Sequence, residues 1–326
     1  MKNFISIIIP SYNKAPFIAE TLESLINQTY PNWEAVIVDD GSTDNSIDII
    51  NAFCNQDSRI KLYERVKLPK GGSTCRNIGL KQAKGKYILF LDADDLLAQE
   101  CLNQRLSLIS QSPNNNFWVF STGTFYKKIG DSNSIWVPKG DNFLIRFLKH
   151  NLPWNIMSVV WDRTYINQLN GFDTDFTRLQ DVELHTRALL DKSVSFETYP
   201  THLADAFYRI DTERTGQDIK QQLEKQKNGV LTYLKKTTPL LKTNKQKRAI
   251  NGTIFEFITA LNYNCLVLNN EVSLHVEIYK EIIQFIKEHP SNLFKLKYIN
   301  FYVYLYKKGF WKIKGFNYTM KYLLCL

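Results

Sequence analysis

The sequence predicts an α/β domain, an open and mainly parallel sheet flanked by helices, followed by a helical C-terminal extension. Three observations carry that expectation. Strand and helix signals alternate through the first hundred residues, the rhythm of parallel strands joined by crossover helices. The strand candidates FISIII, EAVIV and YILFL are short apolar runs of the kind that a covered sheet buries. Beyond Gln217 the pattern becomes mostly helical and basic.

In order along the chain, residues 4–10 (FISIIIP) read as a strand, and residues 19–27 (AETLESLIN) carry apolar side chains at helical spacing. EAVIV before Asp39 is a second strand, and Asp44 and Asn45 offer caps for a helix to about Phe53. A short strand at 59–63 follows, then a helix capped by Ser73 or Thr74 and running to about Ala83, then YILFL. Residues 101–215 give mixed signals: a helix near 101–110, an aromatic strand FWVFST and a helix from about Leu179. A boundary near 217 divides the chain into 1–217 and 218–326, with halves 1–100 and 101–217 inside the first part.

At 326 residues, 44% hydrophobic and 22% charged, the composition excludes disordered, collagenous and low-complexity classes. No apolar run reaches the roughly 18–20 residues that span a bilayer. The N-terminus lacks a signal-peptide pattern, and Cys54, Cys75, Cys101, Cys265 and Cys325 are scattered without a C-x-x-C pair. Both features favour a cytoplasmic chain. The net charge of +9 is uneven. Residues 1–219 carry 23 Lys and Arg against 26 Asp and Glu, whereas residues 220–326 carry 18 against 6. A polyanionic partner would meet that basic tail.

In open α/β sheets, ligands gather at the carboxyl ends of the strands. The polar residues there are Ser11, Tyr12 and Asn13, then Asp39 and Asp40, then Asp92, Asp94 and Asp95. Strand alternation puts Asp92 and Asp94 on one side, where two carboxylates repel unless a cation neutralises them. Alternatively, Asp94 or Asp95 caps a helix at Leu96 and Asp92 is solvated. Asp39 and Asp40, ahead of Gly41 and Ser42, read either as a ligand acceptor with a turn residue or as a turn alone. No glycine-rich phosphate loop of the G-x-G-x-x-G or G-x-x-x-x-G-K-[ST] type occurs, so a bound diphosphate would lean on a metal and a cationic side chain.

Five segments in fixed order, SIIIPSYNK, SLINQTYPNWEAVIVDDGSTD, GGSTCRNIGL, KGKYILFLDADD, and NGFDTDF with LQDVEL, resemble the family 2 glycosyltransferases of the GT-A fold over about residues 4–215. The resemblance implies a Rossmann-like GT-A domain at 1–217, with 1–100 the nucleotide-binding half and 101–217 the acceptor-binding half. It also implies metal-dependent, inverting transfer of a hexosyl or N-acetylhexosaminyl group. The donor would be a nucleotide-sugar, usually a UDP-sugar, and the acceptor a glycan or lipid-linked hydroxyl in cell-surface polysaccharide synthesis. By the same resemblance Pro10, Ser11 and Tyr12 pack on the nucleobase, and Asp40, with Asp39 beside it, reads the uracil. Arg76 faces the nucleotide, and Asp92 faces the ribose. Asp94, with Asp95 able to share the task, holds Mg²⁺ or Mn²⁺. Asp181 resembles the catalytic base, although as a residue type it also serves as an N-cap.

Two departures stand out. Gln180 replaces the acid that usually precedes the base, and Asp211 stands where relatives often have His. Arg209 or Arg214 would then face the diphosphate, or pair with Asp205, Asp211 or Glu213 at the surface. His185, one turn after Asp181, reads as a surface histidine. Residues 291–326 hold seven lysines, eleven aromatics and no acid. That composition suits either an interfacial helix on an anionic membrane, at its inner face, or a packed helical subdomain with solvated lysines. No nucleic acid is expected, since no recognition motif accompanies the basic residues. A sugar nucleotidylyltransferase would need a glycine-rich, arginine-containing first loop, which PSYNKAPF lacks. A scaffold that binds nucleotide-sugar without catalysis rests only on the missing histidine.

Overall fold

The computed structural model describes residues 3–66, 68–210, 218–288 and 293–325. Strand β1 (Ile5–Ser11) and strand β2 (Trp33–Asp39) are buried almost throughout, which requires helices on both faces of the sheet. Between them α1 (Ile18–Ile26) turns Ile18, Leu22 and Leu25 inward at positions i, i+4 and i+7. The next crossovers are α2 (Ser46–Gln56) to β3 (Ile60–Glu64) and α3 (Gly72–Gln82) to β4 (Tyr87–Phe90). Helix α3 lies directly on β1. A Cβ at Gly79 would stand 2.5 Å from Ile8 Cγ2, so that position admits no side chain unless the helix moves away.

The chain continues through β5 (Leu96–Leu97), α4 (Cys101–Gln111), β6 (Phe117–Phe120), β7 (Thr122–Phe125), β8 (Ile135–Trp136) and α5 (Phe143–Leu148). It then forms β9 (Val159–Asp162), α6 (Arg163–Gln168), α7 (Gln180–Leu190), β10 (Phe196–Tyr199) and β11 (Ala206–Arg209). The main sheet has seven strands in the order β10-β6-β9-β4-β1-β2-β3, and a second sheet runs β5-β11-β7-β8. In the main sheet β9 alone runs antiparallel to its neighbours β4 and β6, and the other pairs are parallel. This is the mixed α/β, mostly parallel architecture that the alternating signals predict.

Compactness divides the chain into two units. The first holds residues 1–141, 153–174 and 187–215, and the second holds 142–152, 175–186 and 216–326. The sequence reading drew one boundary near 217. The structure places two earlier segments with the helical unit as well, because their contacts are there: Thr253 Oγ1 donates to Leu148 O at 3.1 Å, and Thr186 and Tyr233 share a hydroxyl hydrogen bond of 2.8 Å.

The helical unit comprises α8 (Ile219–Thr237), α9 (Asn244–Ala249), α10 (Asn251–Asn262), α11 (Val272–Lys287), α12 (Leu293–Lys307) and α13 (Phe316–Leu324). Leu223, Tyr233, Ile258, Leu261, Ile278 and Tyr302 are among its buried side chains. Tyr302 sits where α10, α12 and α13 meet, its hydroxyl 2.9 Å from Thr259 Oγ1 and 3.0 Å from Asn317 Oδ1. Among the described residues no helix is long and apolar enough to cross a membrane.

Candidate active site

Parallel register brings the ends of β1 and β2 out side by side, with Ser11 opposite Asp39 and the Asp40 N–H donating to Ser11 O at 2.8 Å. Strand β4 joins the other flank of β1, and Leu91 N–H extends that ladder to Ile8 O. Three of the candidate clusters therefore share one sheet edge. Ser11 is buried with no hydrogen-bond partner on Oγ, and Tyr12 beside it is half exposed. Pro10 is partly buried. Asn13 takes a left-handed φ of 50° and ties the two loops together. Its N–H donates to Ser42 Oγ at 2.9 Å, and its Oδ1 accepts from Thr43 N–H at 2.8 Å.

Asp39 and Asp40 divide their work. Asp39 is the internal acceptor of its own turn: Oδ1 receives Gly41 N–H at 2.9 Å and Ser42 N–H at 2.7 Å, and Oδ2 receives the Ser42 hydroxyl at 2.6 Å. Asp40 accepts from Arg65 Nε on one oxygen and from Gly71 N–H, at 2.9 Å, on the other. Burial next to Asp40 pushes the Cys75 thiol up to about 12, which leaves it inert.

The loop after β4 carries the densest charge. Strand β4 ends at Phe90 and Asp95 N–H turns back to Asp92 O at 3.1 Å, so strand alternation does not order the carboxylates. The helix expected at Leu96 is also absent. Leu96 and Leu97 pair antiparallel with β11 instead, burying Leu97, and the helix begins at Cys101. Arg76, from α3, donates to Asp92 Oδ1 at 2.5 Å with its guanidinium 5.2 Å from the Phe172 ring centre, and Lys14 bonds Asp94.

Asp95 is fully buried. Burial, with Asp92 and Asp94 nearby, raises its carboxyl well above the usual carboxylate range. Its Oδ1 accepts from Arg209 N–H at 2.9 Å, and its Oδ2 has no hydrogen-bond partner. Arg209 also donates from Nε to Asp94 O at 2.8 Å and from Nη2 to Glu20 at 2.5 Å. The alternative pairing of Arg209 with Asp205 at the surface is therefore corrected. Arg209 is buried, and Asp205 instead takes Arg105 through contacts of 2.5 to 3.1 Å. Asp211, Glu213 and Arg214 lie outside the described residues.

Among the described residues no three His, Cys, Asp or Glu side chains form a cage that would hold a metal unaided. Hard divalent cations bound with phosphate need less, namely one or two carboxylates with the remaining positions filled by phosphate and water. Asp94 and the unpartnered Oδ2 of Asp95 fit that oxygen-only donor set.

In the second unit Asp181 lies partly buried in the first turn of α7, after Leu179, whose φ of 62° is unusual for a branched residue. Glu183 N–H closes the turn on Leu179 O at 2.9 Å. The turn rests on α8, where a Cβ at Gly229 would come 2.8 Å from Arg178 Cβ. Behind it a pocket of about 380 Å³ is lined by His150, Arg178, Leu179, Gln226 and Glu256, among others. His185 is not at the surface: it is buried against Phe147, ring centres 5.3 Å apart, and desolvation lowers its pKa to about 3. The α7 face that carries it turns into the helical unit, which spacing from Asp181 alone did not reveal.

Sequence reasoning missed Lys14, Arg65 and Asn77. Asn77 holds the NGFD turn, donating from Nδ2 to Phe172 O at 2.7 Å and accepting Phe172 N–H on Oδ1 at 2.8 Å. Lys14 and Asn77 stand inside quoted segments and Arg65 between two of them, but nothing in the order of residues names their distant partners.

Residues 6–166 match the family model described as glycosyl transferase family 2. Over 194 residues, 59% of this chain and 72% of the relative, the sequence is 36% identical to the UDP-Glc:alpha-D-GlcNAc-diphosphoundecaprenol beta-1,3-glucosyltransferase WfgD of Escherichia coli. An uncharacterized glycosyltransferase of Haemophilus influenzae is 44% identical over 108 residues, 33% of this chain and 43% of its own, so the match spans less than half of that relative. The crystal structure of S. aureus TarS 1-349 in complex with UDP-GlcNAc superposes with a TM-score of 0.66 at 18% identity, over 98% of this chain and 90% of that one.

Proposed function

The chain belongs to glycosyl transferase family 2, and on that premise we propose that it moves a sugar, with inversion, from a UDP-sugar to an acceptor hydroxyl during synthesis of a cell-surface polysaccharide. The observation that carries this reading is the 92–95 loop at the carboxyl edge of the sheet, where three carboxylates meet Arg76 and Lys14. The lipid-linked GlcNAc acceptor in the name of the WfgD relative supports a lipid-linked acceptor here.

In this reading the uridine lies along Pro10, Ser11 and Tyr12, with the buried Ser11 hydroxyl available to it. Asp40, oriented by Arg65 and Gly71, accepts from the base, and Asp39 keeps the turn in shape. Asp92, held by Arg76, takes the ribose. Asp94 and Asp95 would hold Mg²⁺ or Mn²⁺, which neutralises charge on the departing diphosphate when bound. Lys14, ion-paired with Asp94, is a side-chain cation able to share that charge. Asp181 accepts the acceptor's hydroxyl proton while the new carbon–oxygen bond forms at the anomeric carbon and the bond to the phosphate oxygen breaks, releasing UDP.

The deciding experiment is a donor screen that reads UDP release and sugar transfer with purified protein, Mn²⁺ or Mg²⁺ and lipid-linked acceptors. Transfer should stop in chelator and return with either ion. Full activity in chelator would remove the metal from the reading, and absence of UDP release with every donor would remove the UDP-sugar.

A further inference from the structure

The outer face of α12 does not read as a solvated surface. Ile299, Tyr302, Val303 and Tyr306 point inward and are buried. Lys297, Phe301 and Tyr304, continued by Lys308, fall at positions i, i+4, i+7 and i+11, which is one stripe on the opposite side. Phe301 is 54% exposed and Tyr304 57%, with the Lys308 ammonium 5.8 Å from the Tyr304 ring centre. Past the helix Phe310 and Ile313 are exposed as well, with Lys312 and Lys314 next to them in sequence. Tyr318, at 77% exposure, and Tyr322 follow in α13.

Two features choose the occupant. Large aromatics exposed together mark an interaction face, and here lysines bracket them at about 16 Å spacing along the helix, from eleven residues at 1.5 Å each. No Asp or Glu occurs anywhere in 291–326, and Lys321 pairs with Glu256 at 2.5 Å. Aromatic rings at the headgroup level with lysine stems reaching outward is the arrangement of a side chain set that lies on, and does not cross, a bilayer.

We propose that residues 297–322 dock the helical unit on an anionic phospholipid surface through the stripe Lys297–Phe301–Tyr304–Lys308 and the exposed side chains that follow it. The inference stands apart from the transfer reaction, since its test contains neither donor nor acceptor.

Full-length protein is sedimented with phosphatidylcholine vesicles with and without phosphatidylglycerol. Binding is expected only with the anionic lipid and should fall as salt rises. Each lysine-to-glutamine exchange should lower partitioning roughly fivefold, so that K297Q/K308Q/K312Q/K314Q loses a factor on the order of 10² to 10³, while the four arginine exchanges retain binding. The pair F301S/Y304S should weaken binding and leave the salt slope intact. All of these residues are outward-facing, so melting temperatures should stay at the parent value. No binding by the parent chain, equal binding to neutral vesicles, or unchanged binding of both variants overturns the proposal. Binding to a single-stranded oligonucleotide as tight as to vesicles, and indifferent to F301S/Y304S, would assign the face to a soluble polyanion instead.

Discussion

Arg105 with Asp205 and Arg76 with Asp92 are the same chemistry in two settings. The first pair is sealed. Arg105 has no exposed surface, bonds both oxygens of Asp205, donates to Met157 O at 2.8 Å and lies 4.9 Å from the Phe120 ring centre. The second pair stands at the open edge of the sheet, where the Asp92 side chain keeps 34% of its surface. In the sealed pair every polar atom is answered by protein, so nothing remains for a ligand. In the open pair water or a ligand can compete for the carboxylate. Burial separates an ion pair that holds the fold from one that is available for binding.

Four measurements would break or sharpen that contrast. The largest effect is expected at Asp181, which we propose as the catalytic base. Asp181→Asn should lower kcat by a factor on the order of 10² to 10⁴ with donor affinity kept. Near-parental turnover would leave Asp181 an acidic residue of the first turn of α7 with no part in the chemistry.

At the sealed pair, Arg105→Met should cost about 3 to 5 kcal/mol in denaturant unfolding because Asp205 is left buried and uncompensated, and adding Asp205→Leu should recover most of it. If the single variant is as stable as the parent, the pair is not the sealed element described here.

At the open pair the signature should reverse. Arg76→Lys is expected to weaken UDP-sugar binding by roughly 10- to 100-fold, the loss of one or two charge-assisted hydrogen bonds. Calorimetric titration with UDP, set beside a melting curve, separates affinity from fold. A collapse of melting temperature with unchanged UDP affinity would put Arg76 in the same class as Arg105.

The smallest effect is a slope with pH. Desolvation lowers His150 and His275 to about 4 and His185 to about 3, and lowers His202 as well. Since the unfolded chain binds more protons at these histidines than the native one, their contribution to stability should rise with pH from about 4 to the unperturbed value near 6.5 and level off above it. His185→Phe should flatten part of that slope. An unchanged slope in that variant would show that His185 does not carry the proton uptake.

Much of the first hundred residues was legible because each of its elements is decided locally. Apolar runs such as residues 5–9 and 35–38 leave no choice but a covered strand, and the expected helices at 19–27 and 101–110 appear at Ile18–Ile26 and Cys101–Gln111. What failed was decided by distant chain. Leu96 became a strand because β11 lay ready to pair with it, and the Arg209 side chain went to Glu20 and the Asp94 carbonyl because Arg105 had already taken Asp205. The polar residues after β1, β2 and β4 could be named from position alone, since a parallel sheet delivers all its carboxyl ends to one edge. Their partners Lys14, Arg65 and Arg209 could not, because a lysine or arginine has the reach to choose among several carboxylates and only packing selects one.

The hold of Arg209 on the Asp94–Asp95 loop has a consequence for how the protein is made. The donor lies 115 residues after the carbonyl it grips. On a ribosome adding roughly 5 to 20 residues per second, that interval is about 6 to 23 seconds. Strands β1 to β4 can pair as soon as they emerge, while the acidic loop waits for β11 to supply both its strand partner and its arginine. A nascent chain halted before residue 206 should therefore protect the β1–β4 amides from hydrogen exchange and leave those of 92–97 open.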